Sequence, residues 1–209
     1  MAVPDAQSRT PRPRNSTIST GLRVVAIGGG TGLSTLLKGL KRYVTRAGVP
    51  GTPGHSEISE LCAVVTVSDD GGSSGRLRKE LNMLSPGDIR NCIVALSEDE
   101  ALLSRLFQPR FVKGSGLEGH HFGNLFLAAL TSVTSDFSEA VRLSAEILLT
   151  RGHIYPATTS HVQLEALMED GTRDRCETKL TANSGLLNPL FLHPPDVQAF
   201  PQPPAPTPT

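Results

Sequence analysis

A run of β-branched and small apolar residues, Val24-Val25-Ala26-Ile27, breaks directly into Gly28-Gly29-Gly30-Thr31-Gly32, and leucines at helical spacing follow. An apolar run without polar alternation predicts a parallel strand covered on both faces. Leu33, Leu36, Leu37, Leu40 and Val44 recur at i, i+3, i+4, i+7 and i+11, so a helix opens directly after the glycines and lays a leucine stripe on the sheet. After a Gly- and Pro-rich stretch from Gly48 to His55, Cys62-Ala63-Val64-Val65-Thr66-Val67 predicts a second buried strand. Strand, helix and strand in this order form a βαβ unit with a right-handed crossover.

Helices are expected over Ile89 to Ser97, Glu100 to Phe107, Phe122 to Val133 and Phe137 to Leu149. The third should bury Phe122, Leu125, Phe126, Ala129, Leu130 and Val133, and Asp136 with Glu139 has the spacing of a capping box for the fourth. From Val162 to Met168 the period changes to strict alternation, and Asp170-Gly171 follows, which predicts a β-hairpin ending near Leu180. Residues 1–21 and the proline-dominated stretch 194–209 are expected to be disordered tails around one domain spanning 22–193.

The 20 basic and 20 acidic residues balance, so the chain as a whole carries no electrostatic footprint for nucleic acid or an anionic membrane. No apolar run approaches the roughly 18 residues of a membrane span. Cys62, Cys92 and Cys176 are odd in number and widely spaced, which argues for reduced thiols and a cytoplasmic location rather than a disulfide framework.

Between strand and helix, the Gly28, Gly29, Gly30, Thr31, Gly32 run lets backbone N–H groups approach an anion closely, and phosphate is the natural guest. It is neither a dinucleotide fingerprint, with Leu33 where the third glycine belongs, nor a P-loop, having no Gly-Lys-Ser/Thr end. The second strand runs into Ser68-Asp69-Asp70-Gly71-Gly72-Ser73-Ser74-Gly75-Arg76-Leu77-Arg78, read as a polar loop at the carboxyl end of a parallel strand, where open α/β sheets bind ligands. There Asp69 and Asp70 can hold ribose hydroxyls or Mg²⁺, Ser73 and Ser74 can donate to phosphate oxygens, and Arg76 can grip one bidentately. Pro86-Gly87-Asp88-Ile89-Arg90-Asn91 opens the next helix with Asp88 as its expected N-cap. A cation at that helix start, Arg90, opposes the helix dipole unless it has another partner. His120 and Asn124, one turn apart in Gly119-His120-His121-Phe122-Gly123-Asn124, could both face the pocket, whereas adjacent histidines rarely chelate one metal.

In this order the segments Val-Ala-Ile-Gly-Gly-Gly-Thr-Gly-Leu-Ser, Thr-Val-Ser-Asp-Asp-Gly-Gly-Ser-Ser-Gly-Arg-Leu-Arg, Pro-Gly-Asp-Ile-Arg-Asn and Gly-His-His-Phe-Gly-Asn-Leu-Phe resemble the YvcK branch of the CofD-like family. The resemblance implies an α/β fold: a Rossmann-like parallel sheet with helices on both faces, here incomplete in its C-terminal half, plus the hairpin. It further implies a cytoplasmic gluconeogenesis factor that binds UDP-sugars and supports cell shape and wall growth on gluconeogenic carbon. The sister branch transfers a phospholactyl group to a deazaflavin precursor with Mg²⁺, and its metal-binding acidic positions look similar to Asp69 and Asp70. That branch lacks the Ser-Ser-Gly-Arg extension, which favours the binding and regulatory reading over the transferase. An NAD-dependent enzyme is disfavoured by the missing third glycine. Family members continue into a second half with a Gly-Pro-Gly-Ser loop, where this chain reads Phe200-Pro201-Gln202-Pro203-Pro204-Ala205, as a fragment, a frameshift or a shortened paralogue would. Mg²⁺ as a cofactor and an oligomeric assembly are both compatible with this sequence.

Overall fold

Three strands pair in parallel in the order β1 (Leu22–Gly28), β2 (Ile58–Val65), β3 (His153–Pro156). They belong to a computed structural model that describes residues 21–45, 58–114, 116–168, 173–175 and 187–193, with 166–168, 173–175 and 187–193 described by backbone pairing alone. Helix α1 (Gly30–Leu40) connects β1 to β2, and α2 (Gly72–Leu81), α3 (Gly87–Leu96), α4 (Glu100–Phe107), α5 (Phe122–Thr134) and α6 (Phe137–Ile147) lie between β2 and β3. Because the strand order advances in one direction, right-handed crossovers place these helices on one and the same face.

Burial follows that topology. Ala26, Ala63, Val65 and Ile154 point into a core shared with Leu33 and Leu37 of α1, Ile89 and Ile93 of α3 and Val141 of α6. On the opposite face Ile27 is 77% exposed, Val25 60% and Tyr155 52%, in register with half-buried Cys62 and Val64 of β2. The expected α/β class with a parallel sheet therefore holds, and the described helices cover one side of it. A second sheet has the order β5 (Arg173–Arg175), β4 (Gln163–Met168), β6 (Leu187–His193), all antiparallel. It contains the expected hairpin and one strand beyond it. Residues 1–20 of the expected tail 1–21, the expected tail 194–209 and Cys176 lie outside the described residues.

Three local expectations are corrected by packing. The segment read as a loop through Arg78 is a loop only to Gly71, and α2 begins at Gly72. Its Gly75 carries no Cβ because one would sit 1.8 Å from the Asp70 carbonyl oxygen. In α5 the buried residues are Gly123, Asn124, Leu127 and Ala128, while Val133 is 81% exposed. Asp136 accepts the Glu139 N–H at 2.7 Å, but the Glu139 carboxylate turns to Arg142, so only half of the capping box forms. Arg78 of α2 donates both to the Ser68 carbonyl at 2.8 Å and to the Val162 carbonyl at 2.7 Å, just ahead of β4. Among the described residues no helix is long and apolar enough to cross a membrane.

One-sided coverage makes two isoleucines unequal. Ile93→Ala, at a fully buried position, should cost about 2–5 kcal/mol of unfolding free energy, whereas Ile27→Ala should stay within about 0.5 kcal/mol. Urea denaturation of the two variants checks this, and equal losses would mean that the outer face is covered.

Candidate functional site

The carboxyl ends of β1 and β2 open onto the N-termini of α1, α2 and α3. Helices α4 and α6 begin with side-chain caps, Asp99 accepting from Leu102 at 2.9 Å and Asp136 from Glu139. No side-chain cap closes α1, α2, α3 or α5. The first-turn N–H groups of a helix have no partner within the helix and carry the positive end of its dipole. The Asp88 carboxylate, in the first turn of α3, lies against the turn that opens α1, where a Cβ on Gly29 would be 2.6 Å from its Oδ2. A Cβ at Gly87, the first residue of α3, would lie 2.5 Å from Ser74 Oγ of α2 and 3.2 Å from Asp69 Oδ2. The starts of α2, α3 and α5 thus meet around a cavity of about 250 Å³ lined by Asp69, Ser73, Ser74, Asp88, Arg90 and Asn124, among others.

A chain of buried hydrogen bonds forms its floor. Arg90, 6% exposed, donates to Asn124 Oδ1 at 3.0 Å and to Asn91 Oδ1 at 2.9 Å. Asn124 donates onward to Ser73 Oγ at 3.0 Å, and Ser73 meets His120 Nδ1 at 3.0 Å. Of the Arg90 nitrogens, Nε is buried without a partner. Gly123 makes room for this arginine, since a Cβ there would fall 2.8 Å from Arg90 Cγ and Cδ and 2.6 Å from the Phe107 ring.

Burial, with the nearby Arg110 charge, lowers the Arg90 guanidinium to about 10. The Asp88 carboxyl is pushed up from its ordinary value by burial, with Asp69 adding to the effect. The imidazoles of His120 and His121 are both held below the usual histidine value, first by burial and then by arginines, Arg76 for His120 and Arg90 for His121.

Of the expected residues, Asp69 in the turn after β2, Gly72, Ser73 and Ser74 on α2, Asp88, Arg90 and Asn91 on α3 and Asn124 on α5 line the cavity, His120 meets it through Ser73, and Ser68 lies outside the lining. Asp88 lies inside the first turn of α3, whose N-cap position is Pro86, and its carboxylate lies against the turn before α1 instead of capping its own helix. Asp69 and Asp88 both line the cavity, while the Asp70 main chain packs on Gly75. Gly28, Gly29, Gly30, Thr31 and Gly32 form the β1 to α1 turn, where a Cβ on Gly29 would collide with Thr66 at 2.0 Å and Asp88 at 2.6 Å. Arg76 is exposed and donates to the Glu118 carbonyl, outside the cavity lining. The guanidinium at the cavity mouth is Arg110, which sequence reasoning missed together with His121. Both stand on a short antiparallel bridge, Arg110 to His121, which no local residue pattern announces. A larger groove of about 790 Å³ between α6 and β3 contains none of the expected residues. No group of three or more potential metal ligands occurs among the described residues.

Two outcomes follow from the floor. Asn124→Ala leaves Arg90 and Ser73 each short of a buried partner and should cost about 1–3 kcal/mol, read from denaturant unfolding. For His120 and His121 the folded values lie below the unfolded ones, so between them the unfolded chain binds more protons and stability rises with pH. Melts should therefore show stability falling as pH drops below about 6.5, less steeply in His120→Asn. A flat profile down through that window would show that neither imidazole is held neutral by the fold.

Comparison with known proteins agrees with this architecture. The family profile of 2-phospho-L-lactate transferase CofD matches residues 24–205. The Gluconeogenesis factor of Halalkalibacterium halodurans is 46% identical over 175 residues, covering 84% of this chain and 50% of that protein. That of Bacillus subtilis is 44% identical over 180 residues, covering 86% and 52%. A crystal structure of a Bacillus halodurans protein superposes with a TM-score of 0.72 at 45% identity, over 83% of this chain and 52% of that one. The chain spans about a third to a half of the length of the relatives it matches. By the extent of the profile match and these identities, the chain is a member of the CofD family.

Proposed function

We propose that this chain carries the phosphate-holding part of a cytoplasmic gluconeogenesis factor that binds a UDP-sugar and acts as a regulator of cell shape and wall growth rather than as an enzyme. The observation that carries the reading is the meeting of the uncapped N-termini of α2, α3 and α5 at one polar cavity, while α4 and α6 are capped by their own aspartates. Dipole ends and free amide donors gathered at the carboxyl edge of a parallel sheet favour a phosphorylated ligand. Ser73 and Ser74 sit in the first turn of α2 to donate to its oxygens, with Asp69 available for a ribose hydroxyl. The names of the relatives support the regulatory branch.

The transferase alternative has its own observation, the approach of Asp69 and Asp88. Mg²⁺ is commonly held by one or two carboxylates plus substrate phosphates, and these two would supply the carboxylates, with Asp88 in the place the sequence suggested for Asp70. On the regulatory reading, calorimetric titration with UDP-glucose should give binding that a chelator leaves nearly unchanged and no turnover of a nucleotide-linked donor. Chelator-sensitive binding accompanied by release of nucleotide would overturn that reading in favour of the transferase.

A further inference from the structure

The glycine run after β1 does not line the cavity: none of Gly28 to Gly32 is among its lining residues. The Asp88 carboxylate lies against that turn, where a Cβ on Gly29 would be 2.6 Å from its Oδ2. The positive groups that do line the cavity are two arginines. Arg90 is buried, lines the cavity and has one nitrogen without an acceptor. Arg110, at the mouth, donates to the Gly119 carbonyl at 2.6 Å. Among the described residues neither arginine forms an ion pair with a carboxylate. The two are close enough that Arg110 depresses the proton affinity of Arg90. Like charges in a partly dry cavity repel unless an anion lies between them.

The helix start beside them is shaped for the same guest. Gly72, first residue of α2, has φ of +47°, a left-handed conformation that glycine adopts without a Cβ penalty. A Cβ there would lie 3.7 Å from both terminal nitrogens of Arg110. The uncapped first turn of α2 and the Arg110 fork therefore face the same small space. A tetrahedral oxyanion suits this set, since guanidinium forks bind phosphoryl oxygens bidentately and helix amides supply further donors.

The geometry points to a phosphoryl subsite formed by Arg90, Arg110 and the N-terminus of α2, taking the diphosphate of the ligand in preference to the Gly28 to Gly32 turn. The nucleotide-sugar reading enters only in naming the ligand that carries the diphosphate. Asp69 and Asp88 line the same cavity, Asp69 Oδ1 accepting the Gly71 N–H at 2.9 Å, so the subsite favours a group that is anionic where it meets the arginines and bears hydroxyls or a bound cation where it meets the carboxylates.

Inorganic pyrophosphate and UDP-glucose, titrated separately into the full 209-residue chain, test this. Pyrophosphate should bind the wild type, and Arg110→Ala should weaken it about 10- to 100-fold. Arg110→Lys should restore only part of the loss, because an ammonium lacks the planar fork. Arg105→Ala, an exposed arginine of α4, serves as the charge control and should change nothing. Arg110 is itself exposed, so a melt matching the wild type is expected and would confirm an intact fold. Absence of pyrophosphate binding, or an Arg110→Ala affinity equal to the wild type, overturns the subsite. If pyrophosphate binds through Arg110 while UDP-glucose does not bind, the subsite stands and the nucleotide-sugar reading falls. UDP-glucose binding that is indifferent to Arg110→Ala overturns the subsite and leaves that reading in place.

Discussion

Parallel pairing that advances in one direction is the constraint from which the rest follows. With β1, β2 and β3 side by side in sequence order, handedness sends the described crossovers over one face. Parallel strands also put their carboxyl ends on one edge, so the turns after Ile27 and Val67 open toward the same place. The helices that leave these turns begin there, and their dipoles add at that edge. The cavity is thus a product of topology before it is a product of side chains.

Side chains then decide what the cavity tolerates. Placing Arg90 at 6% exposure is costly unless its nitrogens are engaged. Asn91 and Asn124 answer two of them with amide oxygens rather than carboxylates, so the guanidinium is solvated without being neutralised by contact. Its charge therefore remains available to a guest. Asp69 and Asp88 influence it from a distance, which keeps the cavity from being uniformly positive. Glycine matters at Gly123 because the aliphatic stem of Arg90 and the Phe107 ring fill the space a methyl group would need.

Much of this was legible in the chain. The strand, glycine turn and leucine helix follow from local pattern, and the boundaries expected for α4 match those found. The second helix was not legible, because Gly72-Ser73-Ser74-Gly75 has poor helix propensity and two glycines cost about 2 kcal/mol relative to alanine. It is set by packing, with Leu77 buried and Gly75 pressed on the Asp70 carbonyl. The buried face of α5 was misplaced for a related reason: Gly123 and Asn124 face inward to meet Arg90, so the inner stripe is not the most hydrophobic one. Arg110 escaped because its role depends on a bridge to His121 that brings together two positions eleven residues apart in sequence.

Arg78 joins two parts of the molecule that share no strand. One of its nitrogens holds the Ser68 carbonyl at the end of the polar turn, and another holds Val162 at the approach to the antiparallel sheet. Ser68 directly precedes Asp69, so the backbone that aims a cavity carboxylate is fastened to the same side chain as the small sheet. A displacement of either part must carry the other or break a charge-assisted hydrogen bond. The guanidinium therefore works as a mechanical coupling, through which strain on the antiparallel strands reaches the turn that faces the ligand.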